Sequence, residues 1–142
     1  MNRISIIAVI LSSALLFSSQ TVARAQDASD PKAWADGLFQ TLLKKGETDF
    51  AAGLKDTMMG RETGGADVLL NAVTKTRQSF GDLTGYDYIS QQQVGSRLRR
   101  LKYVTYNQRF FLVYQFAFYK SDRGWELFGA DLNSQSSNVP WE

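Results

Sequence analysis

Any chemistry in this chain has to come from carboxylates and phenols, because the sequence contains no histidine and no cysteine. Lack of histidine removes the usual general base near neutral pH, and with it any Ser-His or Cys-His nucleophilic pair. A zinc site loses its ordinary ligands as well. Three carboxylates fall on segments that read as strands: Asp87, Glu126 and Asp131. One of them could act as an acid or base near neutrality only if burial moved its pKa upward. Strand carboxylates more often face water, so no catalytic residue is assigned. No metal ligand and no cofactor is assigned either.

The tyrosines are the better candidates for a site. Tyr88, Tyr103 and Tyr114 each join an apolar ring to a hydroxyl that wants a partner. Phe116 shares a strand with Tyr114, and Trp125 lies across a hairpin from them. Together Tyr88, Tyr103, Tyr114, Phe116 and Trp125 form the candidate ligand-binding set, suited to a ring-bearing or lipid-like molecule. The same rings also suit the core of a small sheet, and an aromatic stripe favours packing. A basic run, Arg97, Arg99, Arg100, Lys102 and Arg109, has no acidic residue inside it. It fits either an anionic partner or a solvated strand whose charges discourage edge pairing.

The elements that would position these residues begin with helices. Asp30-Pro31 reads as an N-cap followed by proline in the first turn. Trp34, Leu38 and Leu42 then form one stripe, and Lys44-Lys45-Gly46 ends the segment. A second helix is predicted from Asp49 to Met59, with Phe50, Leu54 and Met58 on one face, and residues 60–65 as a loop. A third is predicted from Ala66 to Phe80, stopped by Gly81.

The period then changes to alternation. Strands are predicted near Tyr86–Val94, Leu98–Tyr106, Arg109–Tyr119 and Trp125–Leu132, with turns at Gly95-Ser96, Asn107-Gln108 and Ser121–Gly124. In the first strand Tyr86, Tyr88, Ser90, Gln92 and Val94 are expected to share a face. In the third, both faces are largely apolar: Phe110, Leu112, Tyr114, Phe116 and Phe118 against Phe111, Val113, Gln115, Ala117 and Tyr119. An apolar second face is expected to be covered, by the tail or by a second copy in a sheet-to-sheet homodimer.

The N-terminus reads as an export address. Arg3 precedes an apolar run from Ile4 to Phe17, and Ala23-Arg24-Ala25 is a small-x-small site. That order predicts a secretory signal peptide cleaved after Ala25 and a periplasmic or secreted protein. The run is shorter than the roughly 20 residues that span a bilayer, so no stable membrane insertion is expected after cleavage. Of the 16 basic residues, Arg3 and Arg24 lie in the leader, so 14 remain against 14 acidic residues. A neutral domain argues against nucleic acid, which selects a clear basic excess. The expected organisation is a signal peptide at 1–25, one domain at 26–132 and a flexible tail at 133–142.

Helices followed by an antiparallel meander predict an α+β protein: about three N-terminal helices on a curved antiparallel sheet of about four strands. The layout, with Phe116-Ala117-Phe118-Tyr119 and then Gly124-Trp125-Glu126-Leu127 as the last hairpin, resembles the cone-shaped nuclear-transport-factor-2-like domains. Cystatin-like domains share the helix-on-sheet plan. The resemblance implies an apolar pocket inside a cone, in a family of isomerases, dehydratases, cyclases and non-enzymatic binding or dimerisation domains. The missing histidine departs from the dehydratase pattern. The expected role is therefore an exported, non-catalytic domain that binds a small apolar or amphipathic ligand or a protein partner. A cofactor-free enzyme using Tyr with Asp or Glu, and a purely structural dimerisation module, are the alternatives.

Overall fold

The computed structural model describes residues 30–134. The signal peptide expected at 1–25 and nearly all of the tail lie outside the described residues. Helix α1 spans Pro31–Lys45. Its start follows the sequence signal: the Asp30 carboxylate accepts from the backbone N–H groups of Lys32 and Ala33 at 3.2 and 3.4 Å. Such a cap is worth about 1 kcal/mol. Gly46 stops the helix at φ 87°, a conformation that other residues adopt only with strain. The buried stripe is Pro31, Ala35, Leu38 and Phe39, with Trp34 and Leu42 partly buried beside it.

Where one helix was expected over 49–59, the chain makes two. Helix α2 is Glu47–Lys55 and helix α3 is Met58–Thr63. Thr57 separates them. Its hydroxyl donates to the Leu54 carbonyl at 2.6 Å, finishing α2, and accepts from the Gly60 N–H at 3.1 Å, starting α3. Thr57 is wholly buried, so both bonds are shielded from water. The break turns Met59 rather than Met58 into the core, and the segment expected to be a loop becomes most of α3. Helix α4, Gly65–Phe80, follows directly and buries Ala66, Leu69 and Val73.

Four strands then run β1 Leu83–Val94, β2 Leu98–Asn107, β3 Phe111–Ser121 and β4 Gly124–Asn133. They form an open antiparallel sheet in the order β1-β2-β3-β4. Four helices on this sheet make the protein α+β, with one helix more than expected. Along β3, Leu112, Tyr114, Phe116 and Phe118 join the helix-side core together with Leu101 and Tyr103 of β2 and Leu127 of β4. Phe110 falls ahead of β3 and is exposed, stacked on Phe80 and Phe111.

Three register shifts break the alternation, the first between Leu83 and Gly85 at the start of β1. In β1, Tyr88 pairs with Tyr103 and Ser90 with Lys102, so Ile89 is an extra residue. Tyr86 and Tyr88 therefore stay on the helix side while Ser90, Gln92 and Val94 pass to the other face, contrary to the single face expected. In β4, Ala117 pairs with Gly129 and Phe118 with Leu127, which leaves Phe128 as the extra residue. Bulges of this kind bend a strand and raise its twist. On the face away from the helices, Val104 and Val113 are buried, whereas Val94, Leu98, Tyr106 and Phe128 are exposed.

Candidate functional site

The tyrosines that the sequence singled out separate into three environments. Tyr103 is wholly buried. Its ring packs on Phe39 at 5.1 Å and Phe116 at 6.2 Å. Its hydroxyl donates to Asp36 Oδ1 of α1 at 3.0 Å. Burial, aided by that bond and by the Asp36 charge, pushes its pKa far above the usual phenol value. Lys32 Nζ reaches the other oxygen of Asp36 at 2.7 Å, and the Asp36 bond is the main reason its own pKa rises. Tyr86 donates from its hydroxyl to the Asp36 carbonyl at 3.2 Å and accepts from Gln40 at 3.1 Å. This cluster fastens α1 to β1 and β2. A phenol held neutral and a lysine held charged are poor proton carriers near pH 7.

Tyr88 lies at the outer end of this cluster, with Lys32 Nζ 5.1 Å over its ring. It lines a shallow groove with Lys32, Asp36 and Tyr86. Phe116 is wholly buried among Trp34, Phe39 and Tyr103. Trp125 is buried near the β3–β4 turn, beneath the Arg99 guanidinium at 4.5 Å.

Only Tyr114 of the five opens onto a well-formed cavity. The cavity holds about 280 Å³ and lies where four elements converge. The end of α1 supplies Leu42 and Leu43, the start of α2 supplies Glu47, α4 supplies Val73 and Arg77, and the sheet supplies Leu83, Asn107 and Tyr114. Lys44 and Asp82 stand exposed on its rim. Its apolar wall comes from four aliphatic side chains, Leu42, Leu43, Val73 and Leu83, and the Tyr114 ring. Tyr114 is buried, and burial alone raises its pKa well above the usual value. Its hydroxyl is thus a neutral group at physiological pH, and it finds no hydrogen-bond partner among the described residues.

The polar side of the cavity is built from residues that the sequence reading passed over. Glu47 accepts from the Thr74 hydroxyl at 2.9 Å. Its other oxygen, Oε1, lies 2.9 Å from Arg77 Nε, yet too far off the N–H axis to make a hydrogen bond. The pair is therefore an ion pair with acceptor capacity left over. Asn107 donates through Nδ2 to the Gly81 carbonyl at 2.8 Å, and its Oδ1 is buried with no partner. Their types carried no warning: Asn107 read as a turn residue, and nothing in the sequence singled out Glu47 or Arg77.

The strand carboxylates do not approach this cavity. Asp87 is exposed and accepts from Tyr106 at 2.8 Å. Asp131 is exposed opposite Gln115. Glu126 is buried, held by Arg61 Nη2 at 2.6 Å and by the Ser121 hydroxyl at 2.7 Å. Burial alone would raise its pKa, but the two hydrogen bonds and the positive charges outweigh it and hold the carboxyl below the usual range. The basic run is divided as well. Arg99 covers Trp125 and approaches Asp30 at 3.7 Å. Arg100 and Lys102 face away from the helices, Arg97 sits in the β1–β2 turn, and Arg109 lies at the opposite end of the sheet.

Among the described residues no helix is long and apolar enough to cross a membrane. Comparison with known proteins gives no matching family model, no similar curated protein and no similar solved structure.

Proposed function

We propose that this protein is an exported binding protein that holds a small amphipathic molecule in the cavity beneath α1, α2 and α4. One observation carries the reading: Tyr114, a buried residue whose hydroxyl makes no hydrogen bond among the described residues, lines a cavity of about 280 Å³ whose wall is part aliphatic and part charged. The hydroxyl keeps a donor and an acceptor free for a bound molecule. An engineered apolar cavity of about 150 Å³ accepts benzene, so this one suits a ligand roughly twice that size. A non-catalytic role is supported by the charged state of Glu126 and the neutral state of Tyr103, which both work against proton transfer near pH 7. Four helices followed by an antiparallel meander support the nuclear-transport-factor-2-like resemblance at the level of layout.

Native mass spectrometry of gently purified protein is expected to show a co-purified small molecule that Tyr114→Trp, which fills the cavity, no longer retains. An unliganded mass, together with no thermal shift across a panel of small amphiphiles, overturns the proposal. Export is tested separately, since the protein recovered outside the cytoplasm should begin at Gln26. The exposed Val94, Leu98, Tyr106 and Phe128 on the outer sheet face support pairing with a second copy. Sedimentation at micromolar concentration should then give twice the monomer mass.

A further inference from the structure

The sheet has two edges, and the fold treats them differently. Strand β4 is packed by α3 and α4 and carries charge: Glu126 pairs with Arg61 of α3 at 2.6 Å, and Asp131 stands exposed. Strand β1 pairs with β2 alone, and among the described residues no backbone hydrogen bond joins it to anything else. Every second residue of such an edge holds its N–H and C=O outward, a template for another strand. Edges that stay single are blunted by shortness, bulges, charge or proline. The bulge of β1 lies at Ile89. Beyond it, Ser90-Gln91-Gln92-Gln93-Val94 is regular, exposed throughout, and contains no charge and no proline. The one charge in the strand, Asp87, precedes the bulge.

A second copy of the same run is the strand that fits it. Opposite residues of an antiparallel pair share a face. Ser90, Gln92 and Val94 share the face away from the helices, opposite Lys102, Arg100 and Leu98. A two-fold axis through Gln92 keeps them together: Gln92 meets its own counterpart, Ser90 meets Val94, and Gln91 meets Gln93. A glutamine amide both donates and accepts, so it can bond its counterpart. The same axis brings the exposed Asp87 of each copy close to the exposed Arg97 in the β1–β2 turn of the other. Within one copy, among the described residues, neither is in salt-bridge contact with an opposite charge. Opposite charges thus meet at both ends of the seam, and Val94, 59% exposed, is covered. Each copy has one open β1, so the assembly closes at two. Resting on the second-copy pairing proposed above, we infer that two copies join edge to edge through Ser90–Val94, the four strands of each continuing into one sheet.

The chain has no cysteine, so one introduced thiol reports on the seam. Gln92→Cys places a thiol opposite its own counterpart, with Cα atoms about 4.5–5.5 Å apart, inside the disulfide range of about 4.4–6.8 Å. Mild oxidation at micromolar concentration is expected to turn most of this variant into a covalent dimer on a non-reducing gel, whereas Asp131→Cys on β4 stays a single chain. In sedimentation, Asp87→Arg should weaken the dimer about tenfold by replacing two attractions with two repulsions. Adding Arg97→Asp should restore it, which mere damage to the fold would not allow. A native dimer whose Gln92→Cys variant links no faster than Asp131→Cys overturns edge pairing and leaves pairing through the outer face standing. Weakening without rescue overturns the register through Gln92. Native protein that sediments as a monomer overturns the second-copy pairing, and this inference with it.

Discussion

Replacement of Phe39 by alanine probes the seam between α1 and the sheet more directly than any other change. Phe39 is wholly buried. Its ring centroid lies 4.9 Å from Tyr86, 5.1 Å from Tyr103, 5.2 Å from Tyr114 and 5.6 Å from Phe116. Truncation of a core phenylalanine costs about 3–5 kcal/mol through lost transfer energy and the cavity left behind. Each aromatic pair adds about 0.5–1.5 kcal/mol beyond its area, and four are lost together. The expected loss is therefore at the top of the range, about 5 kcal/mol, against a total stability of about 5–15 kcal/mol for a domain of this kind. Urea unfolding followed by circular dichroism should show a much lower midpoint with an unchanged slope. Phe39→Leu keeps part of the volume and should lose about 1–2 kcal/mol. A loss below about 2 kcal/mol for Phe39→Ala would refute the placement of α1 across β1, β2 and β3, because no other geometry gives this ring four aromatic neighbours.

Other expectations follow from single contacts. Thr57→Val keeps the shape but removes both hydroxyl bonds, and should cost about 1–3 kcal/mol in the same assay; no change would mean that α2 and α3 are not divided there. Gly60→Ala normally gains about 1 kcal/mol inside a helix, but here a Cβ would run into the backbone of Leu54 and Lys55, so a net loss is expected, and a gain would contradict the tight α2–α3 corner. Glu126 has a lowered pKa in the fold, so its contribution is present above the unfolded value near 4.5 and disappears as pH falls below it. Acid titration of Glu126→Gln should accordingly show a flatter stability profile than the native protein. Tyr103 has the opposite sense: the unfolded phenol loses its proton near pH 10.0 while the folded one keeps it. Stability should therefore fall as pH rises past 10.0, and Tyr103→Phe should weaken that fall.

The elements written in local chemistry were legible in the sequence. Asp30-Pro31 and Gly46 bound α1 because caps and stops act over only a few residues. The dense apolar alternation of β3 marks a central strand, and Tyr114 stands out by being a phenol within it. What the sequence did not reveal arises from contacts between distant segments. Phe50, Leu54 and Met58 are spaced as for one helix, and only the burial of Thr57 makes its hydroxyl end one helix and start another. The extra residue Ile89 leaves no mark on a period-two pattern, because the pairing with β2 decides which residue is left over. Phe39 was overlooked because the row Trp34, Leu38 and Leu42 already satisfied the helical period, whereas the buried stripe is wider than one row. The polar half of the cavity was hidden for the same reason: Glu47, Arg77 and Asn107 lie on α2, α4 and β2, and their juxtaposition exists only after folding.

The strand order has a kinetic consequence. Every strand pairs with its immediate successor, across turns that cover 95–97, 108–110 and 122–123. Each closure is local, so little chain entropy is spent before the first ladder bond forms. Hairpins of this sort zip in about 1–10 microseconds. The sheet can assemble ribbon by ribbon as the polypeptide arrives from its N-terminal side, so each newly formed edge waits only briefly for its neighbour.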